Sequence, residues 1–346
     1  MSPTRRDFFA QAVRGAGGVS LAFLASREGS GAPSASPSAA PASPADDKAA
    51  YLRLPSSVLS ERVEKLKALY KNCTLCPRDC RVDRTRGEKG KCQASDRVKV
   101  SSAFAHFGEE APLVGRGGSG TVFFCHCGLR CSYCQNFEIS FEAHGEEITD
   151  RQLSEIFVRI QNLGCHNINF VTPTHFLPSL IQAVALAVPL GLRVPLVYNT
   201  SGYEKVEILA LLDGIVDIYL PDYKYDSPEP AAKYSSEAYN YPHYARLALK
   251  EMHRQVGELA LDGRGVAKRG LIIRHLVLPN RLAGTKGFLK FVATELTKGT
   301  AVNLMRQYRP EYRAKEFPEL NRVLKASEYA ETLDWAREMG LTRFDL

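Results

Sequence analysis

Past residue 113 the chain alternates short apolar runs with longer amphipathic stretches. The apolar runs cover residues 120–124, 167–171, 194–198, 215–220, 271–278 and 301–305. All are short and rich in branched and aromatic residues, so each predicts a strand buried on both faces. The stretches between them repeat near 3.6 residues. Thr149 and Gln152 form a capping-box pattern, Leu153, Ile156, Phe157, Ile160 and Leu163 share one face after it, and Gly164 stops the helix. Further helices are expected at 177–190, near 204–212 and over about 234–257. Six such repeats predict an α/β fold, a parallel sheet curled into a partial (β/α)6 TIM-like barrel. Six strands are too few to close an eight-stranded barrel, so one side is expected to stand open to a bulky substrate.

Polar residues recur just past these strands: Thr172 and Thr174, then Asn199, Thr200 and Ser201, then Asp222 and Lys224, then Arg274 and His275. One Asp or Asn at such a position is most often a turn former. Their joint placement on the rim where barrel enzymes keep their chemistry makes them a candidate site.

Ahead of the repeats lie two different segments. Residues 1–46 open with Thr4-Arg5-Arg6-Asp7-Phe8-Phe9, continue through an apolar stretch at 15–25 and end in a Ser/Ala/Pro-rich linker. The opening resembles a twin-arginine export signal; the apolar stretch is too short to span a bilayer, and the linker cannot bury a core. Export of the folded protein is the expectation, with a cytoplasmic enzyme bearing a basic N-terminus as the alternative. Residues 47–112 hold an amphipathic helix at 57–70 and then Cys73, Cys76, Cys80 and Cys92, spaced C-x2-C-x3-C-x11-C. So charged a segment needs a staple, and four cysteines suit structural zinc or an iron–sulfur cluster, with disulfides a third option. The repeats themselves fill residues 113–346.

Composition narrows the field. The 346 residues carry a net charge of +7, and no run of Lys and Arg interleaves with aromatics, so nothing marks a nucleic-acid surface. Eight of the nine cysteines fall in two spaced groups, which is metal-type usage.

Three of the second group, Cys127, Cys131 and Cys134, follow the first strand as C-x3-C-x2-C with Tyr133 before the last cysteine. Three thiolates can hold three irons of a 4Fe–4S cube and leave the fourth iron open. A zinc knot usually shows paired motifs, and a redox disulfide needs one C-x-x-C alone. Cys125 reads as a strand-end thiol and His126 as a loop residue.

This triplet resembles the signature of the radical S-adenosylmethionine superfamily. Together with runs at 118–124, 131–136, 197–203, 216–224 and 273–279, it is similar to the branch related to pyruvate formate-lyase activating enzyme, over about residues 73–310. The resemblance implies a partial barrel in which a 4Fe–4S cluster on Cys127, Cys131 and Cys134 chelates S-adenosylmethionine. Reductive cleavage of that cofactor then gives methionine and a 5′-deoxyadenosyl radical that abstracts hydrogen. It implies a low-potential electron donor such as flavodoxin or ferredoxin, and a glycyl-radical enzyme or another peptide as substrate. In the activating enzymes, segments resembling Asn199-Thr200-Ser201-Gly202 and Asp222-Tyr223-Lys224 hold S-adenosylmethionine, and Arg274 resembles an arginine of the fifth strand. The usual Gly-Gly-Glu segment is replaced by Thr172-Pro173-Thr174. Modification of a small molecule, or electron carriage without catalysis, are the other readings of the same motifs.

Overall fold

Six parallel strands run in chain order through one nine-stranded sheet. The structure, a computed structural model, describes residues 48–344. The twin-arginine-like segment and linker within residues 1–46 lie outside the described residues. The strands are β1 (Lys99–His106), β2 (Ser119–Phe124), β3 (Glu146–Glu147), β4 (Ile168–Val171), β5 (Leu196–Thr200), β6 (Ile218–Pro221), β7 (Ala260–Leu261), β8 (Ala267–Leu276) and β9 (Ala301–Met305). Their order is β3-β1-β2-β4-β5-β6-β8-β7, with β9 also paired to β8. The parallel set is β2, β4, β5, β6, β8 and β9, one strand for each apolar run; β1, β3 and β7 pair antiparallel.

The boundaries move for local reasons. The strand expected at 194–198 is Leu196–Thr200, because Pro195 has no N–H to give to a ladder and only its carbonyl engages Ile168. Ile215 and Val216, expected in the next strand, instead turn their amides back onto the Leu212 carbonyl. The stretch expected as a helix over about 234–257 is helical over Tyr241–Val256, and a separate helix, Pro228–Tyr234, precedes it. Pro242, in the first turn of the longer helix, suits a helix start, and Ser235 and Ser236 fall in the gap. β1 gave no apolar signal because its residues are mostly half-buried, yet it joins the sheet beside β2. Residues 99–106, expected with the cysteine-rich segment, therefore belong to the sheet.

The main core lies between one face of the sheet and the helices. Helix α1 (Ser56–Ala68) packs on α2 (Leu177–Ala187), and α2 also packs on the helix Asp150–Asn162. That third helix begins in the expected capping box, with Thr149 Oγ1 accepting from the Gln152 amide and Gln152 Oε1 accepting from the Thr149 amide. A smaller apolar cluster, including Leu113, Val197, Ile218, Leu220 and Ile272, fills the opposite face. Residues two apart on a strand share a face. Asn199, Asp222 and Arg274 therefore continue the rows begun by Val197, Leu220 and Ile272, and they carry polarity upward from an apolar floor. Among the described residues no helix is long and apolar enough to cross a membrane.

Candidate functional site

The cysteine loop grows directly out of β2. The Cys125 amide still bonds to the Lys99 carbonyl at 2.9 Å, and His126, at φ +73°, then turns the chain with its amide on Ile139. Beyond that turn Cys127, Cys131 and Cys134 line a cleft of about 280 Å³. Burial pushes the Cys131 thiol up to about 12 and raises that of Cys134 as well. The Ser235 hydroxyl donates to Cys131 Sγ at 3.1 Å, and Ser140 Oγ lies 3.1 Å from Cys134 Sγ. Such hydroxyls favour thiolate as the ligand form.

The facing wall comes from the ends of β4, β5, β6 and β8: Thr172, Asn199, Thr200, Ser201, Asp222, Lys224 and Arg274 all line the same cleft. Arg274 donates through Nε to Asp222 Oδ1 at 2.8 Å and through Nη2 to Asn199 Oδ1 at 2.5 Å. Lys224 Nζ donates to Asp222 Oδ2 at 2.8 Å. Burial alone would raise the Asp222 carboxyl, but Arg274 and Lys224 hold it below the usual range. Burial opposes the charge on Lys224 and Arg274 too; Asp222 outweighs that and keeps both firmly protonated. Thr172 sits at φ +55°, where a β-branched residue is strained. Its amide donates to the Asn199 carbonyl at 2.7 Å, which holds it there.

Four expected residues, His275, Thr174, Thr200 and Tyr133, have their side chains committed elsewhere. His275 is adjacent to Arg274 on the strand and so points to the other face. It is wholly buried, bonded to the Tyr223 carbonyl and to Thr285, and stacked on Phe288, where burial drops its imidazole to about 4. Thr174 turns away to donate to Glu204 Oε1 at 2.5 Å, beside Thr200, which bonds the same oxygen. Tyr133 touches the cleft, but its ring is almost fully packed against Tyr225 and Tyr308. Cys125 stands outside the lining, and burial pushes its thiol up to about 11.

Two carboxylates were missed. Glu109 reaches Arg274 at 3.5 Å, and Glu110 accepts from Asn303 at 3.0 Å, in a hollow that shares Arg274, Met305 and Gln307 with the cleft. Burial, with Glu110 adding to it against Arg274, lifts the Glu109 carboxyl to about 7. Both sit in the loop after an antiparallel strand, where the strand-end logic does not look.

Cys73, Cys76, Cys80 and Cys92 line a second space, closed and bordered by Arg78, Arg84 and Gly128. All nine cysteines are free thiols, so the disulfide option falls away. Among the described residues no three His, Cys, Asp or Glu side chains meet as ligands of a single ion. In both groups the thiols border a space instead. That donor set fits a cube, whose cysteines each take a different iron.

No family model matches the chain. A solved radical SAM methyltransferase from Sphaerobacter thermophilus aligns over 65% of this chain and 66% of that one, at 13% identity and a TM-score of 0.43. The uncharacterized protein MJ0674 of Methanocaldococcus jannaschii is 33% identical over 295 residues, spanning 82% of this chain and 80% of that protein. The chain belongs to the family of that M. jannaschii protein.

Proposed function

We propose that this protein is a radical S-adenosylmethionine enzyme, built on a partial barrel, with a 4Fe–4S cluster on Cys127, Cys131 and Cys134. The observation that carries the reading is that these three thiols share one cleft with the charged and polar ends of four parallel strands. Bound there, the cluster and S-adenosylmethionine would supply reductive cleavage of the sulfonium and a radical able to abstract hydrogen.

The chain's own residues bind and shield. Lys224 and Arg274 offer cations for the methionyl carboxylate, while Thr172, Asn199 and Ser201 offer hydroxyls and an amide for the amine and ribose; the Thr200 hydroxyl is held by Glu204, so Thr200 offers the cleft its backbone only. Asp222, held ionised between Arg274 and Lys224, fixes both cations in position. Phe123, Leu129, Ile139, Leu276 and Met305 supply apolar lining that limits water around a reactive species. On the resemblance alone we extend the reading to activating-enzyme-like abstraction from a peptide, a glycyl-radical enzyme being the first to try.

The test is anaerobic reconstitution, reduction with dithionite and an assay for 5′-deoxyadenosine from S-adenosylmethionine. Cys127→Ala, Cys131→Ala and Cys134→Ala should each abolish the product, and Cys125→Ala should keep it. Product retained in any of the first three would overturn the ligand assignment.

A further inference from the structure

The four-cysteine pocket has a use that the cleft does not explain. Its lining contains Cys73, Cys76, Cys80 and Cys92, and no three of these thiols meet around a common ion. Zinc would draw all four sulfurs to about 2.3 Å from one point. A cube instead needs them spread around a void, one to each corner.

A second observation shows that the void is built for negative charge. Arg84 is 1% exposed and borders the pocket, and its Nε and Nη1 have no partner. Its guanidinium lies 4.1 Å from the centre of the Tyr70 ring, and one nitrogen donates to the Ser95 carbonyl. A buried cation left with open donors calls for an anion beside it. Four thiolates on a metal centre are such an anion. The Lys91 amide already donates to Cys80 Sγ at 3.2 Å, the kind of bond that tunes a cluster's potential.

Position supplies the third argument. Cys80 borders both the closed pocket and an outer groove that also holds Lys89 and Lys91. Between Cys73 and Cys92 the exposed charges are Arg81, Arg86, Lys89 and Lys91 against Glu88, with Lys91 also paired to Glu237, a face suited to an acidic partner. On the inner side, a Cβ placed on Gly128 would lie 3.7 Å from Cys76 Sγ. Gly128 sits between Cys127 and Cys131, and Leu129, Thr172 and Ser201 line both spaces. Arg78 locks the junction by donating to the carbonyls of Gly128, Leu129, Ser235 and Ser236. A merely structural ion needs neither the outward edge nor the inward contact.

We infer that Cys73, Cys76, Cys80 and Cys92 hold a fully ligated 4Fe–4S cluster that relays electrons from the protein surface to the three-cysteine centre. The relay rests on the function proposed above; the ligation does not. One electron enters on the Cys80 side from a low-potential, one-electron donor with an acidic face, and one leaves on the Cys76 side. The relay returns to its starting oxidation state, and no bond forms or breaks.

The experiment uses the full chain, reconstituted anaerobically, beside the Cys127→Ala/Cys131→Ala/Cys134→Ala variant. Iron, sulfide and zinc are counted, and the dithionite-reduced proteins are examined by electron paramagnetic resonance with and without S-adenosylmethionine. The expected result is about eight irons in the wild type and about four in the variant. The variant's remaining signal should ignore S-adenosylmethionine. Should the variant not fold, the wild type alone decides, since two cubane signals, only one shifted by S-adenosylmethionine, are expected. About one zinc with about four irons in the wild type would overturn the inference. Two signals of which neither responds to S-adenosylmethionine would instead sink the proposed function and leave the second cluster standing. For the relay, Cys80→Ser should slow reduction of the three-cysteine centre by a ferredoxin at least tenfold, while dithionite reduction stays within twofold. Equal rates with ferredoxin would remove the relay.

Discussion

The two cysteine pockets lie against each other and are built on opposite plans. One is closed, takes its four thiols from a segment with little regular structure, and is bordered by two arginines. The other is an open cleft with three thiols on a loop, faced by polar groups from the ends of parallel strands. In the closed pocket Arg78 serves the chain, with its donors on four carbonyls, while Arg84 lies over Tyr70 with Nε and Nη1 left open. In the open one the cations are balanced by Asp222 and Glu109, yet they still line free space. On the two proposals above, full ligation would go with the pocket walled mostly by the chain itself, and an open coordination position with a wall of strand ends that can meet a ligand.

Substitutions can break this contrast. The largest effect is expected from Arg274→Ala, which leaves Asp222 and Glu109 buried without their shared cation. Losing one partner of a buried pair costs about 3–5 kcal/mol. Urea unfolding should show it, and a loss below about 1 kcal/mol would mean that water already reaches these carboxylates. Arg78→Ala comes next, since four carbonyls lose a charged donor; about 2–3 kcal/mol is expected. If the arginine is architectural, stability and cluster retention should fall together, whereas lost activity at unchanged stability would place it in the chemistry.

Glu204 gives a smaller, pH-dependent effect. Burial lifts its carboxyl to about 7 from the ordinary 4.5, despite the hydroxyls of Thr174 and Thr200. Through that window the native chain keeps a proton that the unfolded chain has released. Stability is therefore full below about pH 4.5 and falls as pH rises to about 7. Glu204→Gln should remove up to about 1.4 kcal/mol per pH unit from the slope there. Melting curves across that range check it, with Glu109 and Asp217, also raised by burial, supplying the slope that remains. The smallest effect should have the opposite sign. Thr172→Gly relieves a strained backbone and should gain about 1 kcal/mol while weakening S-adenosylmethionine binding, as calorimetry would show.

The sheet was legible because six continuous apolar runs mark strands buried on both faces. Asn199, Asp222 and Arg274 were legible as strand ends, and alternation then decides that Arg274 faces the cleft while His275 does not. The rest was hidden for definite reasons. β1 alternates weakly, and Glu109 and Glu110 reach the site from a loop outside the parallel repeats. Arg78 looked like one more charge among cysteines, because its four acceptors are backbone carbonyls and leave no trace in side-chain pattern.

That arginine also bears on when the centre can exist. It joins its own segment to carbonyls 50 and 51 residues away and to others 157 and 158 residues away. Contacts so distant along a chain form late, after the loops between them have closed. A growing polypeptide thus exposes the seven proposed ligand cysteines before the node that positions them is complete. Until Ser236 has been synthesised, those thiols stand as an unassembled set, open to the wrong metal or to oxidation.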